Sequence, residues 1–240
     1  MRLDVVLVER GLARSRSQAQ QLIVGQKVLV NGVLEVKPSR EIDGRARLSV
    51  EQDEWVSRAA HKLIGALDTS GIAVPERVLD AGASTGGFTQ VLLSRGAKQV
   101  YAVDVGHGQL VPELRADPRV RNLEGLNLRD LTLVHVDATP VELAVADVSF
   151  ISLKLVVGPI FACLSPSGTA LLMVKPQFEV GRNNLDGRGV VRDPDLRTAA
   201  VDAVAATCTN LGWPEHWRAE SQLPGQDGNI EYFLALRHAR

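Results

Sequence analysis

Cysteine is almost missing from this chain: its 240 residues hold two, Cys163 and Cys208, set 45 positions apart in apolar, helix-patterned stretches. That number excludes a disulfide-rich scaffold and predicts reduced core thiols in a cytoplasmic protein. Long apolar runs are missing too. None approaches the roughly 20 residues that span a bilayer. No charged-then-apolar signal segment opens the chain, so no membrane partner is expected. No metal is expected either. Two nucleotide-binding signatures are also absent. The stretch AGASTGG at 81–87 is not the G-x-x-x-x-G-K-[ST] of a P-loop. Nor does it complete the G-x-G-x-x-G fingerprint of a pyrophosphate site. The net charge is only −1, and 45% of the residues are hydrophobic, enough to build a core in one large or two smaller domains.

What is present begins with an uneven charge distribution. Residues 1–47 carry nine Lys/Arg against five acids, a balance of +4; the remainder carries 18 against 23, or −5. A small basic module ahead of a larger acidic one points to nucleic acid as the partner of the first. Within that module, 3–9 and 17–24 read as two short helices, the second with Ala19, Leu22 and Ile23 on one face and Ser15 or Ser17 as its cap. Residues 27–30 and 33–36 read as strands joined by Asn31-Gly32, a strong two-residue hairpin turn. Arg2, Arg14, Arg16, Lys27 and Lys37 are the expected phosphate contacts. The acidic stretch at 51–56 reads as a linker, with Trp55 packing at the junction.

The following body is organised around residues 77–105, RVLDAGASTGGFTQVLLSRGAKQVYAVDV, which reads as strand, glycine loop, helix, strand. Gly82, Gly86 and Gly87 are expected to leave bare backbone for a ligand. Asp104 closes the second strand about 20 residues on, where an acid can accept from two ribose hydroxyls. A nucleoside without phosphates satisfies both features, and S-adenosylmethionine is the common one. The residues expected around it are Asp80, Gly82, Ala83, Ser84, Thr85, Gly86, Gly87, Phe88, Asp104, Val105 and Asp147.

Around this unit, Ser57 is expected to cap a helix running to about Leu67. Strands are expected at 120–123, 142–148 and 169–174, a helix over 151–164, an amphipathic helix over 196–211, and two last strands at 216–221 and 230–236. Asp147 falls at the carboxyl end of its strand, the end at which open parallel sheets hold ligands. Residues 176–194 have little periodicity and read as a flap over RNA, with Arg182 and Arg188 as contacts; Arg58 is a further one.

Two resemblances sharpen this reading. The pattern Leu7, Gly11, Ala13, Ser15-Arg16, Ala19, Leu22-Ile23, Gly25, Val28 and Val30-Asn31-Gly32 resembles the S4 RNA-binding domain. Lys62, Asp147, Lys175 and Glu231 fall where FtsJ/RrmJ-like ribose 2′-O-methyltransferases carry a Lys-Asp-Lys-Glu tetrad. The strings WVSRAAHKL, DAGASTGGFT, DVGHGQL, ADVSFISL, VKPQFEVGR and NIEYFLALR are similar to the TlyA family. The resemblance implies an α/β, Rossmann-like seven-stranded methyltransferase sheet over 57–240 behind a small α+β S4-type domain over 1–50. It implies S-adenosylmethionine as cofactor and a cytidine ribose of ribosomal RNA, free or in a subunit, as substrate. The 23S RNA is the expected target and 16S the alternative. Lys175 is the expected base, oriented by Asp147, with Lys62 and Glu231 positioning the substrate.

Other readings stay open at this point. An amino-group methyltransferase would carry an Asn/Asp-Pro-Pro-aromatic string where this chain has Asp147-Val148-Ser149-Phe150, and a carbon methyltransferase would need a nucleophilic cysteine. A non-catalytic RNA-binding or ribosome-assembly factor is the alternative class. A membrane-active protein is the third, because the TlyA family also carries a haemolysin label.

Overall fold

A computed structural model of the chain describes residues 1–13, 15–50, 54–225 and 227–239. It divides into two units, Met1–Glu54 and Trp55–Arg240. The linker expected at 51–56 lies partly outside the described residues.

The first unit packs helices α1 (Leu3–Glu9) and α2 (Arg16–Val24) on a three-stranded antiparallel sheet of β1 (Val28–Val30), β2 (Val33–Leu34) and β3 (Leu48–Val50), in the order β2-β1-β3. Leu3, Leu7, Ala19, Ile23 and Val28 are fully buried between the layers. Ser15 caps α2 by accepting from the Gln18 amide. Asn31 (φ 53°) and Gly32 (φ 84°) both take left-handed backbone, as the turn between β1 and β2 requires. The third strand was not legible, because only three residues of it pair with β1.

The second unit is a seven-stranded sheet in the order β6-β5-β4-β7-β8-β10-β9. Its strands are β4 (Arg77–Ala81), β5 (Gln99–Asp104), β6 (Val120–Glu124), β7 (Val141–Ala146), β8 (Leu164–Val174), β9 (Glu215–Glu220) and β10 (Tyr232–Arg237). The first five run parallel, while β10 is antiparallel to both β8 and β9. Side-chain alternation gives the sheet two buried faces. Leu79, Tyr101, Ala144 and Leu172 point to one, covered by helices α6 (Val157–Ala162) and α7 (Pro194–Asn210). Val78, Val100, Leu143 and Leu171 point to the other, covered by α3 (Ala59–Ser70) and α4 (Gly87–Ser94). Trp55 packs against this second face. The strand order reverses between β4 and β7, and the carboxyl ends at such a reversal are where open parallel sheets hold ligands.

Several expectations are corrected. The helix expected over 151–164 is a 3-10 turn at Leu153–Leu155 followed by the short α6. A continuous helix would drive the Pro159 ring into the Leu155 carbonyl; starting at Val157 puts Pro159 in the first turn, where no amide is needed. Ser57 does not cap α3, whose N-cap is Arg58 without a side-chain bond. That helix continues past Leu67 to Ser70, where Gly71 ends it at φ 68°. A four-residue helix α5 (Pro112–Arg115) was not expected. Strand β10 starts at Tyr232, so Glu231 precedes it.

Candidate active site

Strand register brings three of the tetrad residues to neighbouring strand ends, and helix α3 brings the fourth. Ala146 of β7 pairs with Leu172 of β8, and Val174 pairs with Tyr232 of β10. Asp147, Lys175 and Glu231 are each the residue at which the chain leaves or enters those three neighbouring strands. Lys175 Nζ lies 2.6 Å from Asp147 Oδ1 and donates to Ser149 Oγ at 2.8 Å. Lys62 comes from α3, and its Nζ donates to Glu231 Oε2 at 2.6 Å. The side chains of Lys62 and Glu231 are 11% and 3% exposed, those of Lys175 and Asp147 12% and 16%. All four are drawn from water as two cation–anion pairs, a state in which each charge depends on its partner.

The glycine loop borders this group. The Asp147 amide donates to the Ala81 carbonyl. Gly82, at φ 93°, lies so close to Asp147 that an added Cβ would sit 2.4 Å from its carbonyl oxygen. Gly86 (φ 100°) faces Leu114 and Leu110, and Gly87 faces Ser57 Oγ. These glycines therefore have a packing role beside the ligand contact expected of them. The space of each absent side chain is filled by the protein itself, and the glycines bring β7, α3 and the 110–114 segment against the loop. Phe88 is a core residue, 3% exposed and stacked on Phe233 at 6.4 Å. Ala83 is buried, Thr85 and Gly82 are half-buried, and Ser84 and Val105 are exposed.

Two carboxylates flank the loop. Asp104 accepts from the Ser84 amide at 2.8 Å and the Gly106 amide at 2.7 Å, which orients its oxygens at the end of β5. Asp80 is fully buried. It accepts from Thr89 Oγ1 at 2.6 Å, and its Oδ1 has no partner among the described residues. Burial pushes its pKa up to about 7, and the nearby Asp147 and Asp104 add to the rise while Thr89 opposes it.

Sequence reading missed two residues of this neighbourhood. Ser149 was passed over as part of a string, although its place two residues after Asp147 was the available signal. Phe150 is 92% exposed at φ 64°, with its ring 5.2 Å from that of Phe178. An exposed aromatic held in left-handed backbone is costly, which suggests a use outside the core.

The expected RNA contacts fall on both units. In the first, Arg2 and Arg16 both donate to the fully buried Asp4, and these bonds, led by that from Arg2, hold its carboxyl far below the usual range. Lys37 is exposed and Lys27 half-buried. Arg14 lies outside the described residues. In the second unit, Arg58, Arg182 and Arg188 are exposed. The 176–194 segment is fastened rather than loose. Asp186 accepts from the Arg188 and Val190 amides and from Arg192. Asn229 accepts from the Val191 amide and donates to the Gly189 carbonyl.

This sheet order, with a glycine loop and a strand-end acid at the switch point, defines a Rossmann-like methyltransferase. Residues 55–238 match the FtsJ-like methyltransferase family and residues 1–47 the S4 domain. The chain is 51% identical to the 16S/23S rRNA (cytidine-2′-O)-methyltransferase TlyA of Mycobacterium tuberculosis, over 98% of this chain and 89% of that protein. It is 34% identical to the 23S rRNA (cytidine-2′-O)-methyltransferase TlyA of Campylobacter jejuni, over 97% and 98%. A solved Streptococcus thermophilus structure that bears a hemolysin name superposes with a TM-score of 0.80, at 38% identity, over 100% of this chain and 88% of that one. The chain belongs to the TlyA family of FtsJ-like methyltransferases, whose cofactor is S-adenosylmethionine.

The residues present fit that cofactor. The orphaned, buried Asp80 oxygen is an acceptor suited to a cationic amine, and Asp104 retains acceptor capacity for vicinal hydroxyls. Among the described residues no cluster of His, Cys, Asp and Glu could hold a metal ion, and no helix is long and apolar enough to cross a membrane.

Proposed function

We propose that this protein methylates the ribose 2′-hydroxyl of a cytidine in ribosomal RNA, acting in the cytoplasm on a free RNA or a ribosomal subunit. The observation that carries the reading is the meeting of two lysine–carboxylate pairs at the switch-point edge of the sheet. When bound, the cofactor would supply a methyl group on a sulfonium, from which a neutral thioether departs. The protein then has to align the hydroxyl and move one proton.

Lys175 is the base. Its Nζ is held by Asp147 and Ser149, and the role requires that it shed its own proton before it takes the hydroxyl proton as the C–O bond forms and the methyl C–S bond breaks. The resulting ammonium is stabilised by Asp147, whose side chain is largely shielded from water. Lys62 and Glu231 brace each other and position the ribose. Asp80, the loop from Gly82 to Gly87, Asp104 and Val105 hold the cofactor. Arg2, Arg14, Arg16, Lys27 and Lys37 of the S4 domain, with Arg58, Arg182 and Arg188, grip phosphates, which suits an S4 module that reads RNA by shape and backbone.

The test is incubation of the protein with methyl-labelled cofactor and 30S subunits, 50S subunits or deproteinised RNA, followed by nucleoside analysis. Label in 2′-O-methylcytidine is expected. Its absence from every substrate overturns the proposal.

A further inference from the structure

The catalytic pair Asp147–Lys175 sits on two loops, one after β7 and one after β8. The ion pair and the Lys175–Ser149 hydrogen bond join those loops at their starts. Glu179 joins them again further along. Its side chain is 1% exposed, yet it reaches from the β8 loop to the β7 loop, where Oε2 accepts from Ser152 Oγ at 2.6 Å and Oε1 from the Leu153 amide at 2.7 Å. Lys154 Nζ lies 3.7 Å away. Both hydrogen bonds are charge-assisted and shielded from water, which makes them strong and makes an unpaired donor left behind costly.

The segment held in this way is the one that carries Ser149 and Phe150. At its start, the Asp147 amide is fixed to the Ala81 carbonyl. At its end, Ser152 and Leu153 are fixed to Glu179. Between these anchors, Ser149 is exposed and Phe150 is 92% exposed at φ 64°, so burial does not hold either residue. On the other loop, Glu179 stands four residues after Lys175 and directly after Phe178, the ring partner of Phe150.

We infer that Glu179 is a positioning residue for methyl transfer. It clamps the loops after β7 and β8 together, and so sets where Ser149 and Phe150 stand relative to Lys175. It touches neither cofactor nor substrate. The inference rests on the proposed 2′-O-methyltransferase reading for its kinetic arm only.

The experiment compares wild type with Glu179→Ala and Glu179→Gln. Gln retains a carbonyl acceptor for the Leu153 amide and can still pair with Ser152, so it is the conservative rescue. Hydrogen exchange by mass spectrometry, which needs no substrate, is expected to show faster exchange at 150–155 in Glu179→Ala. Exchange in α4 should be unchanged and the wild-type pattern restored in Glu179→Gln. In the methylation assay, Glu179→Ala is expected to lower kcat about tenfold, since displacements near 1 Å at a reacting group cost that much or more. The Kd for S-adenosylmethionine by calorimetry should stay within about twofold, as the cofactor loop is not touched. Wild-type exchange at 150–155 in Glu179→Ala, or wild-type kcat in an enzyme shown to be active, overturns the inference. A wild-type protein that transfers no methyl group sinks the functional reading instead and leaves the exchange result to decide the clamp. If Glu179→Ala fails to fold, a Ser152→Ala variant, which removes one of the two bonds, takes its place with the same readouts. There, unchanged exchange at 150–155 counts against the clamp and faster exchange supports it.

Discussion

Lys62 Nζ and Glu231 Oε2 lie 2.6 Å apart across 169 residues of sequence, in a site that leaves the Glu231 side chain 3% exposed. Removing one partner strands a charge that burial penalises, at a cost of about 3 kcal/mol. Glu231→Ala is expected to lower the free energy of unfolding by about that amount, measured by urea titration. The double variant Lys62→Met/Glu231→Leu is expected to lose much less than the sum of the single changes. Additive losses would show that the two side chains do not depend on each other.

Lys175→Ala is expected to bind S-adenosylmethionine with near-wild-type affinity and to lose at least about a hundredfold in turnover, the usual scale for a positioned proton acceptor. Calorimetry and the labelled-methyl assay read the two quantities separately. Turnover equal to wild type would remove Lys175 from the role of base.

Gly82→Ala puts a Cβ 2.4 Å from the Asp147 carbonyl oxygen in a residue at φ 93°. The backbone strain alone costs about 1–3 kcal/mol, and the clash adds to it. A loss of at least about 2 kcal/mol in chemical denaturation is expected. Alanine tolerated at wild-type stability would mean that the loop and the β7 end are not packed as described.

The Asp80 carboxyl titrates near 7 in the folded chain against 3.8 when unperturbed, because burial disfavours its charged form. Between those values the folded state holds a proton that the unfolded state has released. The stability tied to the protonated carboxyl is therefore complete below about pH 4 and is lost as pH rises to about 7. Asp80→Asn does not titrate. Denaturation of the cofactor-free proteins at pH 5 and pH 8 is expected to show wild type losing stability relative to Asp80→Asn as pH rises. A difference independent of pH would mean that Asp80 is ionised throughout.

Phe150→Ala is expected to leave thermal stability within about 0.5 kcal/mol, the range for surface changes, because the ring is 92% exposed. Methyl transfer to RNA should fall while cofactor affinity holds. Unchanged kinetics would assign the ring to no part of the reaction.

Much of this molecule was legible in the chain. Period-two and helical patterning located β4, α4, β5, α7 and both S4 helices, and Asn31-Gly32 announced its turn, because these features are set by contacts a few residues apart. The tetrad was legible only through its resemblance to a family, since a lone lysine or acid in a sequence is ordinarily a solvated charge. The short helix α6 was misjudged where Pro159 outweighed an apolar run. The close packing of neighbouring chain against the glycines was not legible, because it depends on residues brought in from other elements.

The amino-acid sequence by itself determined the two-part organisation and the strand–loop–helix unit, since propensity, turn chemistry and hydrophobic period act locally. Only the tertiary structure decided which lysine faces which acid, that Glu179 joins two catalytic loops, and that Phe150 stands out in solvent. Those facts depend on strand order and register, which bring residues up to 169 positions apart within hydrogen-bonding distance. No local pattern carries that information, because it arises from how the sheet buries its two faces.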